Sequence, residues 1–517
     1  MNIDRRRMLA SMGLLGAGSM LSVPAFASRV TEYPFTLGVA SGDPWPDGFV
    51  IWTRLAPQPL QPGSGMWGTI HSVAWEVADD YRFQNVVRKG VADAMPELGH
   101  SVHVDLTGLE PARPYWYRFL IDGHVSPVGK ARTAPLAHAD VAALRIGVAG
   151  CQNYEHGFFT AYKYMAGEDL DAIFHYGDYI YEGARGKRGD IPLVREHVGP
   201  EPVRLDDYRL RHALYKLDPD LQAAHASTAF MMTYDDHEVD NNWAADKDQD
   251  GTDPAEFLVR RFSALQGWYE NMPVRAAQLP RNGGIQMFRR LDYGKLLRVH
   301  LLDTRQYRDD QICEQPGQVN CRDVATYQTG QILGDRQQQW LGDGLDTQRG
   351  WNLIAQQVVV MPYDRGGGSE SADPGGDSWR GYPESRRRLV KSIQDKQLSN
   401  VIISTGDVHQ NIVGYLPARE EEPDRNQVAT EFVCTSISSL GDGRDIKVRG
   451  PDFRPIIARN PNLLMANGQR GYHTFTITPR EWRTDIMKVD KVSDHSGQLS
   501  RLASFTVEAG SPLAIQG

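Results

Sequence analysis

Acidic, imidazole, thiol and phenol side chains follow several apolar runs of this 517-residue chain. The segment GDYIYE, residues 177–182, comes directly after the run DLDAIFHY and carries Asp178 and, three residues later, Tyr181. An aspartate at the carboxyl end of a strand often lines a site in an open α/β sheet. A phenol at that spacing could be either a packing group or a metal ligand, and the rest of the chain decides between the two.

Similar polar residues follow other apolar runs of strand length. They are Cys151, Asp236 with His237, Asp303 with Arg305, Gln356 with Gln357, and Asp407 with His409. Taken singly, each has an ordinary alternative, such as a helix cap, a packed core residue or, for Arg305, an ion pair with Asp303. Because several strands of one sheet would deliver these groups at the same end, we expect them to converge on one site.

The elements that would position these groups fall into two parts. Residues 33–134 contain β-branched and aromatic runs between turn signals, which predict strands. The segment LTGLEPARPYWYRF, residues 106–119, resembles the tyrosine corner of fibronectin III-like sandwiches. We therefore predict an N-terminal fibronectin III-like β-sandwich over residues 33–134.

Residues 143–500 have a different sequence pattern. Apolar runs of strand length alternate with helix-like segments such as residues 160–168, 255–272 and 384–396. This alternation predicts an α/β (α+β layered) core. A glycine- and serine-rich stretch, residues 364–381, is expected to form a mobile loop near the substrate entrance.

Composition limits the possible partners. The formal net charge is -9 and 41% of residues are hydrophobic, so the chain is long and apolar enough for two or more domains. Mild acidity argues against a general nucleic-acid binder, and we expect no stable nucleic-acid binding. It does not exclude a phosphate site, because a few local cations can override net charge. Nor do we expect a transmembrane anchor.

The N-terminus resembles a twin-arginine (Tat) export signal. Residues 1–27 combine consecutive arginines in DRRRMLA, a short apolar run and the ending Ala25-Phe26-Ala27. We predict cleavage after Ala27, the Tat machinery as a partner, and a mature protein in the periplasm or secreted. An ordinary amphipathic N-terminal helix is the alternative.

The four cysteines divide into different classes. Cys313 and Cys321 lie close together in the polar stretch QICEQPGQVNC, and in an oxidising compartment we expect a disulfide between them. Cys434 lies in the apolar run TEFVCTSIS and is expected to be a core residue. Cys151 is a candidate ligand.

Seven motifs together resemble one known family. They are SGDPWPDGFVIWTRL, GCQNYEHGFF, HYGDYIYEG, YDDHEVDNNW, LLDTRQYR, TGDVHQN and GYHTFTIT. The pattern is similar to the alkaline phosphatase D (PhoD-like) family of the calcineurin-like metallophosphoesterases. The resemblance implies a sandwich followed by a metallophosphoesterase α/β sandwich core. It also implies secretion, one Fe3+ with one or two Ca2+, and hydrolysis of phosphomonoesters and phosphodiesters.

The resemblance also implies a ligand set. Asp178 would bridge two metals, and Cys151, Tyr181 and His409 would complete a strongly donating set for ferric iron. Asp236 and Asp407 stand where the wider superfamily carries an amide and an imidazole, so the second site becomes rich in oxygen ligands. Hard oxygen ligands favour calcium or magnesium over zinc. Asn241 and Asn242 could add amide oxygens, which the sequence does not assign.

The expected mechanism is attack on phosphorus by a hydroxide held at the metal pair. His237 would protonate the leaving oxygen or stabilise charge on the transition state, Arg305 would clamp the phosphate, and Tyr154 and His156 would line the substrate pocket. Substrates would be small phosphate esters or phosphodiester polymers. One alternative is a phospholipase D-like lipid phosphodiesterase that uses the same metals, because no His-x-Lys phospholipase motif is present. Another is an extracellular binding protein with a structural metal.

Overall fold

The computed structural model describes residues 29–66, 68–186, 191–313, 321–364, 376–442 and 453–517. The strands in these ranges are β1 (Val39–Trp45), β2 (Gly48–Arg54), β3 (His71–Ala78), β4 (Val86–Ala94), β5 (Ser101–Asp105), β6 (Pro114–Ile121), β7 (His124–Val125), β8 (Gly129–Arg132), β9 (Leu144–Ala149), β10 (Ala172–His175), β11 (Ala229–Met232), β12 (Arg289–Tyr293), β13 (Leu297–Leu301), β14 (Trp351–Ala355), β15 (Val401–Thr405), β16 (Asn411–Pro417), β17 (Gln427–Val433), β18 (Leu463–Asn467), β19 (Gly471–Ile477), β20 (Glu481–Val489), β21 (Leu499–Glu508) and β22 (Ala514–Gln516).

The α-helices lie mainly between the strands of the larger part. They are α1 (Thr160–Ala166), α2 (Leu205–Lys216), α3 (Pro219–Ser227), α4 (Pro254–Asn271), α5 (Gly334–Gly344), α6 (Pro383–Asp395) and α7 (Arg454–Arg459). Helices α3 and α4 begin in the same way, because Asp218 and Asp253 accept hydrogen bonds from backbone amides of the first turn and a proline follows each of them.

Ten strands form one sheet in the order β22-β21-β20-β19-β9-β10-β11-β1-β2-β5. Its centre is parallel, since β10 pairs in parallel with both β9 and β11. Strands β10 and β11 are short and buried throughout, and all their residues except His175 are apolar. Continuous apolar runs of this kind suit a parallel sheet that is covered on both faces.

Seven strands form a second sheet in the order β12-β13-β14-β15-β17-β16-β18. One hydrophobic cluster joins the two sheets and includes Phe174 and Met231 of the first and Val299 and Leu353 of the second. The mixed α/β fold with layered sheets was predicted correctly. The prediction that a single sheet carries all the polar strand ends was wrong, because pairing between distant strands is not encoded in local sequence patterns.

The N-terminal strands form a two-layered β arrangement, as predicted. Strands β3, β4, β6, β7 and β8 make a five-stranded sheet. Phe49 and Ile51 of β2 pack in one cluster with Val73 and Phe119 of that sheet. Strand β1 also pairs in parallel with β11, so the other layer of the sandwich is continuous with the ten-stranded sheet. The boundaries 33–134 and 143–500 stay predictions, and the two parts share hydrogen-bonded strands.

Two further expectations concern the chain's exterior. Cys313 and Cys321 are joined by a disulfide, with Cα atoms 5.1 Å apart. Among the helices that the structure describes, none is both long and apolar enough to cross a membrane. The predicted export signal, residues 1–27, lies outside the described residues, as does most of the glycine-rich stretch, residues 365–375.

Candidate metal centre

The candidate ligands follow parallel strands of both sheets. Cys151 comes after β9, Asp178 after β10 and Asp236 after β11 of the ten-stranded sheet. Asp407 and His409 come after β15 of the seven-stranded sheet. The site therefore lies where the carboxyl ends of two packed sheets meet, which is the usual location of a site in an open α/β sheet.

Four of these residues adopt a left-handed backbone conformation. The φ angles are 51° for Cys151, 55° for Asp178, 65° for Asp407 and 57° for His409. Such angles are uncommon for residues other than glycine and cost free energy, so they persist only where the surrounding structure imposes them. Here each strand ends in a sharp turn that directs the next polar side chain towards the same space.

One cluster combines a thiol, a carboxylate, an imidazole and a phenol. Potential ligand atoms of Cys151, Asp178 and His409 all lie within 4.8 Å of one another. The Tyr181 hydroxyl donates to Asp178 Oδ2 at 2.7 Å and lies 3.0 Å from His409 Nε2. Ser439 also contacts the Tyr181 oxygen, at 2.8 Å. The four residues predicted for iron thus lie together.

Two more clusters continue from the first. Asp178, Asp236 and His237 form one, and Asp235, Asp236 and Asp407 form the other, each within 4.8 Å. Asp178 is shared by the first two clusters and Asp236 by the last two, which is what bridging ligands require. Our sequence reasoning did not name Asp235, although the paired acids of YDDHE were a signal for it. Asn242, left unassigned, donates its backbone N–H to Asp236 Oδ2 at 2.8 Å.

Three carboxylate oxygens that accept no hydrogen bond indicate whether these residues could bind metal ions. Asp178 Oδ1, Asp235 Oδ2 and Asp236 Oδ1 are buried without a hydrogen-bond donor. A buried carboxylate oxygen that accepts no hydrogen bond destabilises the fold by on the order of several kcal/mol, the usual effect of losing a hydrogen bond to a charged group. Bound cations would compensate that cost, so the donor set fits metals.

The pKa values of the candidate ligands also favour bound cations. Burial raises the pKa of Asp178 and of Asp407 well above the usual range, and neighbouring carboxylates add to the effect. Burial also raises the pKa of the Cys151 thiol, with Asp178 contributing, and raises the pKa of Asp235 to about 7. Ligands must be deprotonated to bind a metal, so cations would stabilise the charged forms that burial disfavours.

His237 is held by a carboxylate that the sequence analysis did not single out. Its Nδ1 lies 2.6 Å from Glu182 Oε2, and its ring stacks on Tyr181 with centroids 4.1 Å apart. Burial alone would lower the pKa of His237, but Glu182, Asp236 and Asp178 raise it well above the usual value. These carboxylates favour the protonated imidazole, and His237 shares a ligand cluster with two of them, Asp178 and Asp236. Glu182 is the last residue of GDYIYE, and only its contact with a distant histidine reveals its role.

Arg305 has different partners from those considered. Its Nε donates to Asp235 Oδ1 at 2.6 Å, and its two terminal nitrogens donate to Asp377 at 2.5 and 2.9 Å. Only its backbone N–H donates to Asp303, at 3.0 Å, so the alternative of an ion pair with Asp303 was wrong. Because all three guanidinium nitrogens donate to carboxylates, a bidentate clamp on phosphate would require an existing ion pair to open.

Glu238 connects two of the ligand-bearing turns. Its carboxylate accepts backbone hydrogen bonds from Asp178 at 3.0 Å, Tyr179 at 2.7 Å and Asp235 at 2.9 Å. These three amides belong to the turns after β10 and β11. Burial raises the pKa of Glu238 to about 8. The sequence offered no signal for this role beyond an acid next to His237.

The remaining candidates have contacts of their own. Tyr154 packs in an aromatic group, with the Arg195 guanidinium 3.8 Å from its ring centroid. His156 Nδ1 accepts a hydrogen bond from the backbone N–H of Leu440 at 3.1 Å. Gln357 Oε1 accepts from the Thr304 hydroxyl at 2.6 Å and so links the turns after β13 and β14. Gln356 bonds within its own turn and to the indole of Trp379.

Comparison with known proteins agrees with this geometry. Residues 146–486 match the family described as PhoD-like phosphatase, and residues 21–135 match the PhoD-like phosphatase N-terminal domain. Alkaline phosphatase D of Bacillus subtilis (strain 168) is 42% identical over 518 residues, spanning 98% of this chain and 88% of the relative.

Solved structures extend the comparison to the fold. The structure titled "Structure of PhoD" is 41% identical with a TM-score of 0.88, covering 95% of this chain and 93% of the other. The purple acid phosphatase PPD1 from yellow lupin is 14% identical with a TM-score of 0.55, covering 92% and 74%, and shares the fold alone. The chain is a phosphoester hydrolase that belongs to the PhoD-like phosphatase family.

Proposed function

We propose that this protein hydrolyses phosphomonoesters and phosphodiesters with one Fe3+ and one or two Ca2+. The iron ligands would be Cys151, Asp178, Tyr181 and His409, and the calcium ligands would be Asp178, Asp236 and Asp407 together with Asp235. One observation carries the proposal: three buried carboxylate oxygens that accept no hydrogen bond belong to residues of overlapping ligand clusters.

The chemistry of the donors supports this choice of metals. Thiolate, phenolate and imidazole are strong donors that suit a ferric ion, whereas a group made only of carboxylates suits a hard cation such as calcium. When bound, the metals would supply an activated water molecule and neutralise charge on the phosphoryl oxygens.

The chain's own residues would handle the leaving group. Glu182 lies 2.6 Å from Nδ1 of His237 and raises the pKa of the imidazole, which favours the protonated form. We assign His237 the role of donating its proton to the departing oxygen. Glu182 fixes the ring orientation through Nδ1, which leaves Nε2 as the donating atom.

Arg305, Tyr154 and His156 complete the proposed site. Arg305 holds Asp235 in position through Nε, and it would reach substrate phosphate only after release from Asp377. Tyr154 packs against the ring of Tyr215, so we assign it a supporting role in the wall of the pocket. His156, buried beside Leu440, would have to act through the turn it holds.

Membership of a phosphatase family argues against the binding-protein alternative. A phospholipase D-like activity would use the same metals, so chelation should abolish it. Lipid cleavage that survives complete removal of the metals would refute a shared site.

The export route is a further part of the proposal. The consecutive arginines of the leader would direct the folded, metal-loaded protein to the Tat machinery, and thus to the periplasm or the medium. Replacing Arg5 and Arg6 with lysine should leave active enzyme inside the cell. Unchanged export of that variant would contradict the Tat route.

The decisive test measures metals and turnover on the same sample. The unstripped protein is analysed for iron and calcium, its visible absorption spectrum is recorded, and bis-p-nitrophenyl phosphate turnover is followed with and without calcium. An intense charge-transfer band, iron near one per chain and calcium-dependent turnover would support the proposal. A colourless, iron-free enzyme with zinc-dependent turnover would overturn the roles of Cys151 and Tyr181.

A further inference from the structure

The last residues of the glycine-rich stretch, 376–381, bring one acid, Asp377, against the metal centre. Its Oδ1 accepts from Arg305 at 2.5 Å and from Arg308 at 2.7 Å, and its Oδ2 accepts from Arg305 at 2.9 Å. Gln311 donates to Oδ1 as well, at 3.3 Å. Both carboxylate oxygens are thus occupied by cationic or amide donors. Asp377 is placed to act on the site through Arg305 and not as a ligand.

Two buried arginines share the Asp377 carboxylate as an ion-pair partner. The side chains of Arg305 and Arg308 are completely buried, whereas that of Asp377 is 21% exposed. Arg308 also donates to the Asp377 backbone carbonyl at 3.1 Å. Removing one partner of a buried ion pair leaves the other charge to be compensated by the acceptors that remain. For Arg305 these are Asp235 and Asp236.

For Arg305 the nearest acceptors belong to the candidate calcium ligands. Its Nε already contacts Asp235 Oδ1, and one terminal nitrogen lies 3.7 Å from Asp236 Oδ1. Asp235 Oδ2 and Asp236 Oδ1 are two of the buried oxygens that accept no hydrogen bond and that a cation would use. A guanidinium released from Asp377 would compete with the cation for these oxygens.

We propose that Asp377 is a positioning residue of the metal centre: it keeps Arg305 from donating hydrogen bonds to Asp235 Oδ2 and Asp236 Oδ1 and so keeps these two oxygens available to a divalent cation. This inference rests on the proposed function, because it assumes that these carboxylates bind calcium. Mutation of a residue that orients metal ligands without binding the metal itself typically lowers metal affinity by about 10- to 100-fold.

The test is calcium binding to iron-containing protein from which calcium has been removed. Titration calorimetry with calcium alone should show that Asp377→Asn binds about 10- to 100-fold more weakly than the parent protein. The visible iron band should stay unchanged, and kcat should recover at saturating calcium. Asp377→Glu, which keeps the charge, should recover part of the affinity and guards against a variant that does not fold.

A matched control uses an ion pair of the same kind elsewhere. Asp292 of β12 accepts from Arg298 at 2.8 and 2.9 Å and from Arg349 at 3.2 Å, and its side chain is 26% exposed. Asp292→Asn should leave the calcium affinity at the parent value. A purely structural role for Asp377 would change the unfolding midpoint of both variants without a selective change in calcium binding.

The outcomes separate the two proposals. Equal calcium affinities for Asp377→Asn and the parent, with normal turnover in both, would overturn the inference and leave the proposed function intact. A parent protein that binds no calcium would overturn the calcium assignment and the inference together.

Discussion

Tyr179 and Tyr181 stand two positions apart on one turn but face different environments. The Tyr179 hydroxyl pairs with His225 at 2.9 Å, inside the hydrophobic cluster formed with α2 and α3. The Tyr181 hydroxyl instead lies 2.7 Å from Asp178 and beside His409. Burial and Asp178 raise the pKa of Tyr181 well above the usual value, so its phenolate would need a cation to exist. The two tyrosines thus provide an internal comparison.

Tyr181→Phe should remove the visible charge-transfer band and weaken iron retention by at least about tenfold, since even indirect partners of a ligand have effects of that size. The measurement is the absorption spectrum with iron analysis of the purified variant. Tyr179→Phe is the control and should keep both colour and iron. A coloured, iron-replete Tyr181→Phe protein would show that the phenol is not a ligand.

His237 offers a second prediction at this scale, because a proton donor matters most for poor leaving groups. His237→Gln should reduce kcat for alkyl phosphodiesters by about 10²- to 10⁴-fold. The loss with bis-p-nitrophenyl phosphate should be much smaller, since p-nitrophenolate leaves without a proton. The two kcat values are compared for variant and parent.

The same experiment distinguishes two roles for the histidine. His237 also belongs to a ligand cluster with Asp178 and Asp236. If it acted mainly as a ligand, both substrates would lose activity equally and the metal content would fall. That result would remove the proton-donor assignment.

At the level of elements, two glycines allow the sheets to meet beside the site. A Cβ atom on Gly150 would come within 2.4 Å of the Tyr176 ring, and one on Gly406 within 2.1 Å. Gly150 precedes Cys151 after β9, and Gly406 precedes Asp407 after β15. The Tyr176 ring fills the space between the two turns, and its hydroxyl donates to the Thr435 carbonyl at 2.7 Å.

Gly406→Ala should therefore lower the free energy of unfolding by about 1–3 kcal/mol, the usual cost of overpacking a core. It should also reduce activity, because the displaced turn carries Asp407 and His409. Urea unfolding and turnover are measured together. Gly68→Ala is the control: no atom lies within 4 Å of the added Cβ, and a change within about 0.5 kcal/mol is expected. A fully stable, active Gly406→Ala variant would mean that Tyr176 can move aside at no cost.

At the level of elements, the turns that carry the candidate ligands could be predicted from the sequence. The residues that hold the side chains of these turns in position could not. Cys151, Asp178 and Asp407 could be found because each follows an apolar run of strand length, which is a local signal. Asp377 and Glu182 could not be found in that way. Asp377 meets Arg305 across 72 positions and Glu182 meets His237 across 55, so their roles depend on tertiary contacts.

For the whole molecule, the sequence allowed the fold class to be predicted but not the division into sheets. The N-terminal strands and the alternating α/β pattern were visible as periodicities. The parallel pairing of β1 with β11, between Ser41 and Ala229, joins segments far apart in the chain. Pairing of this kind is decided by how the buried faces match, and the hydrophobic pattern of one strand does not specify its neighbour.

The two large sheets are also linked by a buried histidine, which leads to a prediction about pH. His473 of β19 is fully buried, and its Nε2 lies 2.9 Å from Asn411 Oδ1 of β16. The Asn411 amide nitrogen donates to the Gln469 carbonyl, so its oxygen is the acceptor and Nε2 carries the hydrogen. Burial lowers the pKa of His473 to about 3. The native protein therefore contains a neutral imidazole at this contact between sheets.

An imidazole in the unfolded chain has a pKa near about 6.5, so the unfolded state binds a proton first as the pH falls. The stabilisation from the neutral imidazole is fully present above that value and is lost as the pH decreases towards the folded pKa. Between pH 7.5 and pH 5, this one histidine should cost about 2 kcal/mol of unfolding free energy. In urea unfolding, the free energy of unfolding of His473→Gln should decrease over the same pH interval by about 2 kcal/mol less than that of the parent. Comparing variant with parent cancels the contributions of the metals and the other histidines, and identical pH dependence in the two proteins would show that His473 titrates normally in the fold.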